Sequence, residues 1–560
     1  MLSRRDFLQT AAAATAILPG GWTRAFAQQR LTQESLLAFE PLGNVTLVHV
    51  ADLHAQLMPV YFREPSVNLG VGEARGLVPH LTGRALLDHY GIPAGSPAAY
   101  ALAAEDFAAL AKSYGRMGGL DRIATILKAI RAERGDRVVF LDGGDTWQNS
   151  YTSLMTKGQD MVDCMRLLKP DAMVGHWEFT LGAERVKEIA KSLGFPFLGQ
   201  NIRDTEWDEA AFQPMTTFER GGVRIAVIGQ AFPYTPIANP RWMMPTWSFG
   251  IREDDLRANV AKARKDGAEL VVLLSHNGFD VDRKLASRVA GIDVILTAHT
   301  HDALPETVTV GRTLLVASGS HGKFVARLDL DVRGGEVKAR RFKLIPVFAD
   351  AIAPDAEMAA KIRSIRAPHE AMLGEAVGRT ETLLYRRGNV NGTLDDVICD
   401  ALMAERDAEI ALSPGFRWGA SLLPGQAITR EDIYNATAIT YPAAYRMTMT
   451  GARLKEVLED VADNLFNPDP YYQQGGDMVR VGGVSFSIDV SAPAGRRIGD
   501  LGLLRTGQPL EAGKDYTVAG WASINEGTEG PPIWDVVTQY VLRKQVIAPK
   551  DVSSVRLIGA

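Results

Sequence analysis

Five apolar segments of this chain each run directly into polar side chains of the kinds that bind metal ions. Each segment is rich in aliphatic residues, which is typical of a strand covered on both faces. Because open α/β sheets carry their sites at the carboxyl ends of the strands, we expect the five ends to converge. The segments and their polar residues are VTLVHVADLH (Asp52, His54), VVFLDGGD (Asp142, Asp145), AMVGHWEF (His176), LVVLLSHNG (His276) and DVILTAHTH (His299, His301).

The spacing of these residues indicates a shared site. Asp52 and His54 lie two residues apart, as do His299 and His301, so an extended backbone points both side chains of each pair the same way. One such histidine alone is more often structural than a ligand. Five segments of this kind predict a two-metal hydrolytic centre. Nitrogen and oxygen ligands without cysteine favour Mn, Zn or Fe over a thiolate site.

The motifs occur in the order D-x-H, G-G-D, G-[NH]-x-E, a lone His after a strand, and H-x-H. That order resembles the calcineurin-like metallophosphoesterases, most closely the 5′-nucleotidase branch. The resemblance covers roughly residues 43–302, and from about residue 373 the chain resembles the nucleotidase C-terminal domain. It implies an α/β fold with three parts: a four-layer α/β/β/α metallophosphoesterase sandwich (43–347), a connector helix (348–372) and an α+β substrate-binding domain (373–560).

The resemblance also implies which residues hold two divalent metal ions. Asp145 would bridge the pair and, with His276, would take part in catalysis. Asp142 and Asn201 would support the ligands from behind. The first ion would be held by Asp52, His54, Asp145 and His301, and the second by Asp145, His176, His276 and His299.

One motif departs from the phosphoesterase pattern. Where the family reads Gly-Asn-His-Glu-Phe-Asp, residues 175–180 read Gly-His-Trp-Glu-Phe-Thr. His176 replaces the Asn ligand, Trp177 replaces the His that assists the leaving group, and Thr180 replaces the Asp that orients it. An alkoxide leaving group needs an acid, and losing general acid catalysis costs roughly a hundredfold or more. A thiolate, with a pKa of about 8.5, departs without one.

The altered motif, together with MPVYFREPS at residues 58–66, resembles the SoxB family of thiosulfohydrolases. Members of that family act in periplasmic sulfur oxidation and resemble dimanganese nucleotidases. They release sulfate from a cysteine S-thiosulfonate on the swinging arm of the SoxYZ carrier protein. The resemblance therefore implies a thiosulfohydrolase with two divalent ions and a SoxYZ-type partner. Mn²⁺ is the first candidate for the metal.

Several residues are candidates for contact with this substrate. Arg417, in a Gly-rich turn, would bind the sulfonate, because a guanidinium suits a tetrahedral anion. Trp177 would form a wall of the pocket, and Asn277 would contact substrate or support His276. Tyr471 and Tyr472 precede a Gly-Gly step that suits a channel for a peptide arm. The alternatives are a surface turn at Arg417 and a simple loop at the tyrosines.

Two other functions remain open from the sequence. A periplasmic 5′-nucleotidase or phosphodiesterase would keep the metal ligands, but Trp177 and Thr180 weigh against it. A metal-containing protein that binds the carrier without turnover is the second alternative. It gives no physical reason for keeping all seven inferred ligands.

The N-terminal residues and the composition bear on localisation. Residues 3–8 read Ser-Arg-Arg-Asp-Phe-Leu, followed by a short apolar run and Ala-Phe-Ala at 25–27. This pattern predicts a signal peptide at 1–27, export by the twin-arginine translocase and a periplasmic location. The net charge of −5 gives no support to nucleic-acid binding. No internal stretch reaches the roughly 20 apolar residues that cross a bilayer, so we expect no membrane partner.

Overall fold

The structure is a computed structural model that describes residues 31–550 and 553–559. The predicted signal peptide at 1–27 lies outside the described residues. Within the part that is described, no helix combines the length and apolar content needed to cross a bilayer. Cys164 and Cys399 are both buried and form no disulfide.

The first part of the chain builds a five-stranded and a six-stranded β-sheet, together with two short strands that pair with each other. The strands are β1 (Val45–Val50), β2 (Val138–Asp142), β3 (Ala172–Met173), β4 (Arg203–Asp204), β5 (Met215–Arg220), β6 (Val223–Gln230), β7 (Trp247–Ser248), β8 (Leu270–Ser275), β9 (Val294–Thr297), β10 (Val308–Val310), β11 (Thr313–Ala317), β12 (Phe324–Arg333) and β13 (Glu336–Pro346).

One sheet has the order β13-β12-β1-β2-β3, and the other has the order β10-β11-β9-β8-β6-β5. The strands that lead into the predicted ligands are parallel within each sheet: β1 with β2 and β3, and β8 with β9. Parallel strands share one carboxyl edge, so the loops after them meet there. This topology brings the five motifs together.

Helices cover the outer faces of the two sheets or lie in the connections. They are α1 (Gln33–Leu37), α2 (Gly83–His89), α3 (Pro97–Leu102), α4 (Phe107–Tyr114), α5 (Leu120–Arg134), α6 (Tyr151–Thr156), α7 (Gln159–Leu168), α8 (Ala183–Ser192), α9 (Thr235–Ala238), α10 (Glu253–Lys265), α11 (Phe279–Arg288), α12 (Ala356–Arg366) and α13 (Glu370–Leu373).

Alternate side chains of β8 pack against different neighbours, which shows how the layers stack. Val272 and Leu274 share a core with Val48 of the other sheet, whereas Val271 and Leu273 pack with residues of α10 and α11. Successive side chains of a strand point to opposite faces, so β8 faces a sheet on one side and helices on the other. The predicted four-layer α/β/β/α sandwich is confirmed.

The second part of the chain is an α+β domain, as predicted. Its helices are α14 (Thr393–Arg406), α15 (Arg430–Thr437), α16 (Gly451–Phe466) and α17 (Ile533–Lys544). Its strands are β14 (Ala376–Thr380), β15 (Ile410–Gly415), β16 (Ala427–Thr429), β17 (Tyr445–Thr450), β18 (Asp477–Gly482), β19 (Val484–Asp489), β20 (Ile498–Leu503), β21 (Asp515–Gly520), β22 (Val546–Ile547) and β23 (Val555–Ile558).

The central sheet of this second part has the order β17-β21-β15-β18. Strands β15 and β18 are antiparallel and pair Gly415 with Asp477. The loop that follows β15 therefore lies beside the loop that precedes β18. Both loops reach the site described below.

Helix α12 occupies the segment predicted as the connector. The Asp355 side chain caps it by accepting a hydrogen bond from the backbone N–H of Met358. The Lys128 ammonium of α5 lies 2.5 Å from the same carboxylate. The connector is thus held against the first part of the chain at its start.

Candidate active site

The strand ends bring all seven predicted metal ligands into one buried place. They form two groups whose candidate ligand atoms lie within 4.8 Å of one another in each group, and Asp145 belongs to both. The groups are Asp52, His54, Asp145 and His301, and Asp145, His176, His276 and His299. These are the two sets that the sequence predicted.

Asp145 lies at the centre of the arrangement. Its Oδ2 is 3.1 Å from His176 Nδ1, 3.1 Å from His276 Nε2 and 3.9 Å from His54 Nε2. Asp52 Oδ1 lies 3.5 Å from His301 Nε2 and 3.7 Å from His276 Nε2. A single carboxylate between two sets of imidazoles is the arrangement that a bridging ligand requires.

Five of the candidate ligands have a backbone conformation that residues other than glycine rarely adopt. The φ angles are 52° at Asp52, 48° at His54, 56° at Asp145, 77° at His299 and 59° at His301. Positive φ at a non-glycine residue costs of order 1–3 kcal/mol and clusters at functional sites. Here it turns each side chain away from its strand and toward the common centre.

The donor set fits two divalent cations. His54 Nε2 and His301 Nε2 lie 3.0 Å apart, beside the carboxylates of Asp145 and Asp52. Burial lowers the pKa of His54 to about 4 and that of His301 well below its usual value. These imidazoles are therefore neutral at neutral pH and offer lone pairs, which is the state that binds a metal ion.

Two carboxylates hold the ligand loops in place. Glu178 accepts hydrogen bonds from the backbone N–H groups of Thr146 at 2.6 Å and His176 at 2.8 Å, so it joins two loops. Asp142 accepts from the Gly144 N–H at 3.0 Å, and burial raises its pKa to about 7. The supporting role of Asp142 was predicted from the sequence and that of Glu178 was not, although the position of Glu178 two residues after His176 was a usable signal.

The two predicted supporting amides lie behind the ligands. The Asn277 side chain donates to Asp282 at 2.8 Å and accepts from Gln230 at 3.1 Å. Asn201 bonds to the backbone of Ala231 on both atoms of its amide, at 2.8 and 2.9 Å. Both side-chain amides therefore already have hydrogen-bond partners within the protein, as expected of residues that support His276 and its strand. Contact between Asn277 and the substrate stays a prediction.

A cavity of about 160 Å³ lies between the ligands and the second domain. Aromatic rings form much of its wall. Trp177 meets Trp418 edge to face at 4.9 Å between centroids and meets Phe416 in the same way at 5.3 Å. The structure therefore places Trp177 in the wall, and it adds two aromatic residues that the sequence analysis did not assign.

Arg417 lines the same cavity and is buried. Its Nε donates to Asp477 Oδ1 at 3.3 Å, its Nη1 donates to the carbonyl of Thr300 at 3.3 Å, and its Nη2 donates to the carbonyl of Gly476. Burial lowers its pKa, and the charge of Asp477 opposes that shift. The guanidinium is held rigidly beside the candidate metal ligands.

Arg387 is a second buried arginine at this interface, and it was not predicted from the sequence. Its Nη2 donates to the carbonyl of Thr300 at 3.0 Å and lies 3.8 Å from Asp302. Thr300 stands between His299 and His301, so two arginines of the second domain hold the loop that carries both ligands. No sequence motif surrounds Arg387, and only the docking of the domains reveals its role.

The predicted tyrosines lie at the edge of this region. The Tyr471 hydroxyl donates to Glu253 at 2.7 Å, and the side chain of Tyr472 is 65 % exposed. Neither side chain lines the cavity between the domains. His321 is buried, with its ring centroid 5.3 Å from that of His54 and 4.0 Å from that of Phe62.

Comparison with a solved structure decides the family. The sulfate thiohydrolase SoxB of Thermus thermophilus, in complex with glycerol, is 37 % identical and superposes with a TM-score of 0.90. The match covers 93 % of this chain and 98 % of that one. The chain belongs to the SoxB family. The predicted resemblance is thereby confirmed.

Wider comparisons show that this SoxB-family chain is similar to 5′-nucleotidases. Residues 376–539 match the family model described as the 5′-nucleotidase C-terminal domain. The mouse 5′-nucleotidase is 23 % identical over 77 % of this chain and 84 % of its own length, and the Naja atra venom 5′-nucleotidase is 25 % identical over 74 % and 85 %. A 5′-nucleotidase precursor from Thermus thermophilus shares the fold, with a TM-score of 0.72 at 21 % identity over 92 % of this chain and all of that one. These relatives are hydrolases, and the SoxB-family chain carries a candidate metal site.

Proposed function

We propose that this protein is a thiosulfohydrolase that releases sulfate from a cysteine S-thiosulfonate on a SoxYZ-type carrier protein. It would work in the periplasm with two divalent cations, for which Mn²⁺ is the first candidate. The two ligand groups that share Asp145 would hold them. Membership of the SoxB family supports the reaction class. The carrier, the metal and the compartment are our extension.

The observation that carries the proposal is Trp177 in the wall of the cavity. Its backbone N–H donates to Asp145 Oδ1 at 2.8 Å, so the residue stands directly beside the candidate bridging ligand. An indole cannot protonate a leaving group at neutral pH, whereas a thiolate leaves without protonation. The site therefore suits cleavage of a bond from sulfur to a sulfonate group better than cleavage of a phosphate ester.

Different residues of the chain would have different roles in this reaction. Two bound cations would supply Lewis acidity, activating water and neutralising charge on the sulfonate oxygens. Arg417 binds the sulfonate through charge-assisted hydrogen bonds. Trp177, Phe416 and Trp418 exclude solvent, which strengthens each electrostatic contact in the cavity. Glu178 and Asp142 keep the ligand loops in their strained conformation.

Parallel assays of the metal-loaded protein test the proposal. Sulfate release is measured from a thiosulfonated carrier and from free thiosulfate, and phosphate release is measured from a nucleoside monophosphate. We expect fast sulfate release from the carrier and little from free thiosulfate, because remote contacts support the chemical step. Phosphate release that exceeds sulfate release would establish a nucleotidase instead. Carrier binding without sulfate release would establish a binding protein.

A combined variant tests the argument about the missing acid. His176→Asn, Trp177→His and Thr180→Asp together restore the phosphoesterase motif, so phosphomonoesterase activity should rise by about a hundredfold, the usual contribution of general acid catalysis. The Thr180→Asp variant alone is the control, since it adds the orienting carboxylate without the imidazole. An unchanged rate in a folded, metal-loaded triple variant would show that the shape of the pocket excludes phosphate esters.

A further inference from the structure

The second domain makes a hydrogen bond to one candidate metal ligand. His299 Nε2 lies 2.9 Å from the backbone carbonyl oxygen of Gln474. A carbonyl oxygen only accepts hydrogen bonds, so the contact needs a proton on Nε2 and leaves the lone pair on Nδ1. A metal ion binds an imidazole through a nitrogen that carries no proton. The contact therefore selects Nδ1 of His299 as the ligand atom.

The segment that makes this contact is held firmly within the second domain. The backbone N–H of Gln474 donates to the carbonyl of Asn464 in α16 at 2.8 Å, and its side-chain Nε2 donates to Asn464 Oδ1 at 3.0 Å. Gly475 follows with φ of +73°, and an added Cβ there would overlap the ring of His299. Only glycine lets the backbone approach this closely.

The two candidate cation groups differ in this kind of support. His276, which belongs to the same group as His299, donates from Nδ1 to the carbonyl of Gly143 at 2.6 Å. His176 Nε2 of that group has no partner among the described residues, and in the other group neither His54 Nδ1 nor His301 Nδ1 has one. Hydrogen bonds to the far nitrogen of a ligating histidine fix its tautomer and are worth roughly 10–100-fold in metal affinity.

We propose that the second domain completes one of the two cation positions. By holding His299 in its Nε2–H tautomer, Gln474 tightens the position formed by Asp145, His176, His276 and His299. The position formed by Asp52, His54, Asp145 and His301 receives no such contact from Gln474. Gln474 is thus a positioning residue that acts through its backbone. The inference rests on the proposed metal ligands and is independent of the substrate.

The test compares alanine at two neighbouring glycines. Gly475→Ala pushes its new Cβ into His299, whereas Gly476→Ala, at φ of +83°, finds its nearest neighbour 3.7 Å away at the carbonyl of Gly415. Both variants are loaded with Mn²⁺, dialysed against a graded series of chelator concentrations and analysed for metal per chain. In Gly475→Ala the affinity for one ion should fall by about 10–100-fold while the other ion stays, and Gly476→Ala should keep both.

An electron paramagnetic resonance spectrum supplies a readout that does not depend on turnover. Gly475→Ala should lose the signal of a spin-coupled pair and gain that of a single Mn²⁺ ion as chelator rises. Wild-type affinity for both ions in Gly475→Ala overturns the proposal. Equal losses in both variants, or loss of both ions together from Gly475→Ala, overturn it as well, because the effect would then not act through His299.

A second measurement reads the tautomer in the wild-type protein itself. In wild-type protein labelled with ¹⁵N-histidine and loaded with diamagnetic Zn²⁺, the ring nitrogen shifts report the tautomer of each histidine. His299, assigned by its loss in His299→Gln, should carry its proton on Nε2. A proton on Nδ1 would refute the inference. Neither measurement uses the thiosulfonate substrate, so failure of this inference would leave the proposed reaction untouched, and failure of the reaction would leave this inference untouched.

Discussion

The ligand loops of the first domain and the loops that the second domain brings to the cavity are built in different ways. The ligands follow parallel strands whose carboxyl ends meet by topology. Arg417 and Gln474 instead stand in loops that become neighbours because β15 pairs with β18, Gly415 opposite Asp477. The first region holds cations by side-chain chemistry. The second region shapes the space around them largely through backbone carbonyls and arginine contacts.

This difference suggests a division between metal binding and substrate recognition. Changes in the first region should alter metal content, and changes at Arg417 should alter turnover while metal content stays constant. The contact between Gln474 and His299 is an exception to this division, because we infer that a residue of the second region there affects metal binding.

Asp145→Ala should have the largest effect, because Asp145 is the one side chain common to both candidate groups. Both ions should be lost, and sulfate release should fall by more than about a thousandfold, since the cations supply the activation of water. Metal analysis and a sulfate assay measure the two quantities. Asp88→Ala, which removes an exposed carboxylate of α2, is the control. An Asp145→Ala protein that retains one tightly held ion would break the assignment of a bridging ligand.

Arg417→Ala should lower sulfate release by roughly ten- to a thousandfold, the range for losing a charge-assisted contact in a dry site. Metal content should stay at two ions, because Arg387 still donates to the carbonyl of Thr300. Arg446→Ala, at a part-exposed position of β17, provides the comparison. Unchanged turnover in Arg417→Ala would remove this residue from the account of substrate recognition.

A smaller, pH-dependent effect is expected at His80, which lies between β1 and β2 in the sequence and lines a cavity with Leu465 and Phe466 of the second domain. His80 Nε2 lies 2.8 Å from Asp280. Burial lowers the pKa of His80, but the hydrogen bond and charge of Asp280, with the charge of Asp302, raise it overall above its usual 6.5. A raised folded-state pKa stabilises the protein at pH below the unfolded value, and this contribution disappears as pH rises through the folded value.

His80→Gln should therefore reduce the free energy of unfolding by about 1 kcal/mol at pH 5.5, the scale of an ion pair near the surface. At pH 8.5 the difference from wild type should be smaller. Denaturant titrations at both pH values measure this, with metal content checked in parallel. A difference that grows toward alkaline pH would contradict the ion pair.

Much of the fold and of the metal centre could be predicted because both depend on local patterns. Aliphatic runs predict buried strands, and the two-residue spacing at Asp52/His54 and at His299/His301 places both side chains of a pair together. Glu178 lay within a recognised motif, yet its role depends on two loops meeting, so its four backbone contacts were not foreseen. Arg387 carries no local pattern at all.

Local residue patterns were enough to predict the five aliphatic strands, the seven candidate ligands and the loss of the acid at Trp177, because each is carried by adjacent residues. The tertiary structure alone decided what surrounds them: the aromatic wall of Phe416 and Trp418, the two arginines on Thr300 and the carbonyl of Gln474 on His299. Those contacts join residues about 90 to 240 positions apart, some of them through backbone atoms that every residue type possesses. Side-chain identity cannot encode a backbone carbonyl, so only the pairing of strands and the docking of domains could place it.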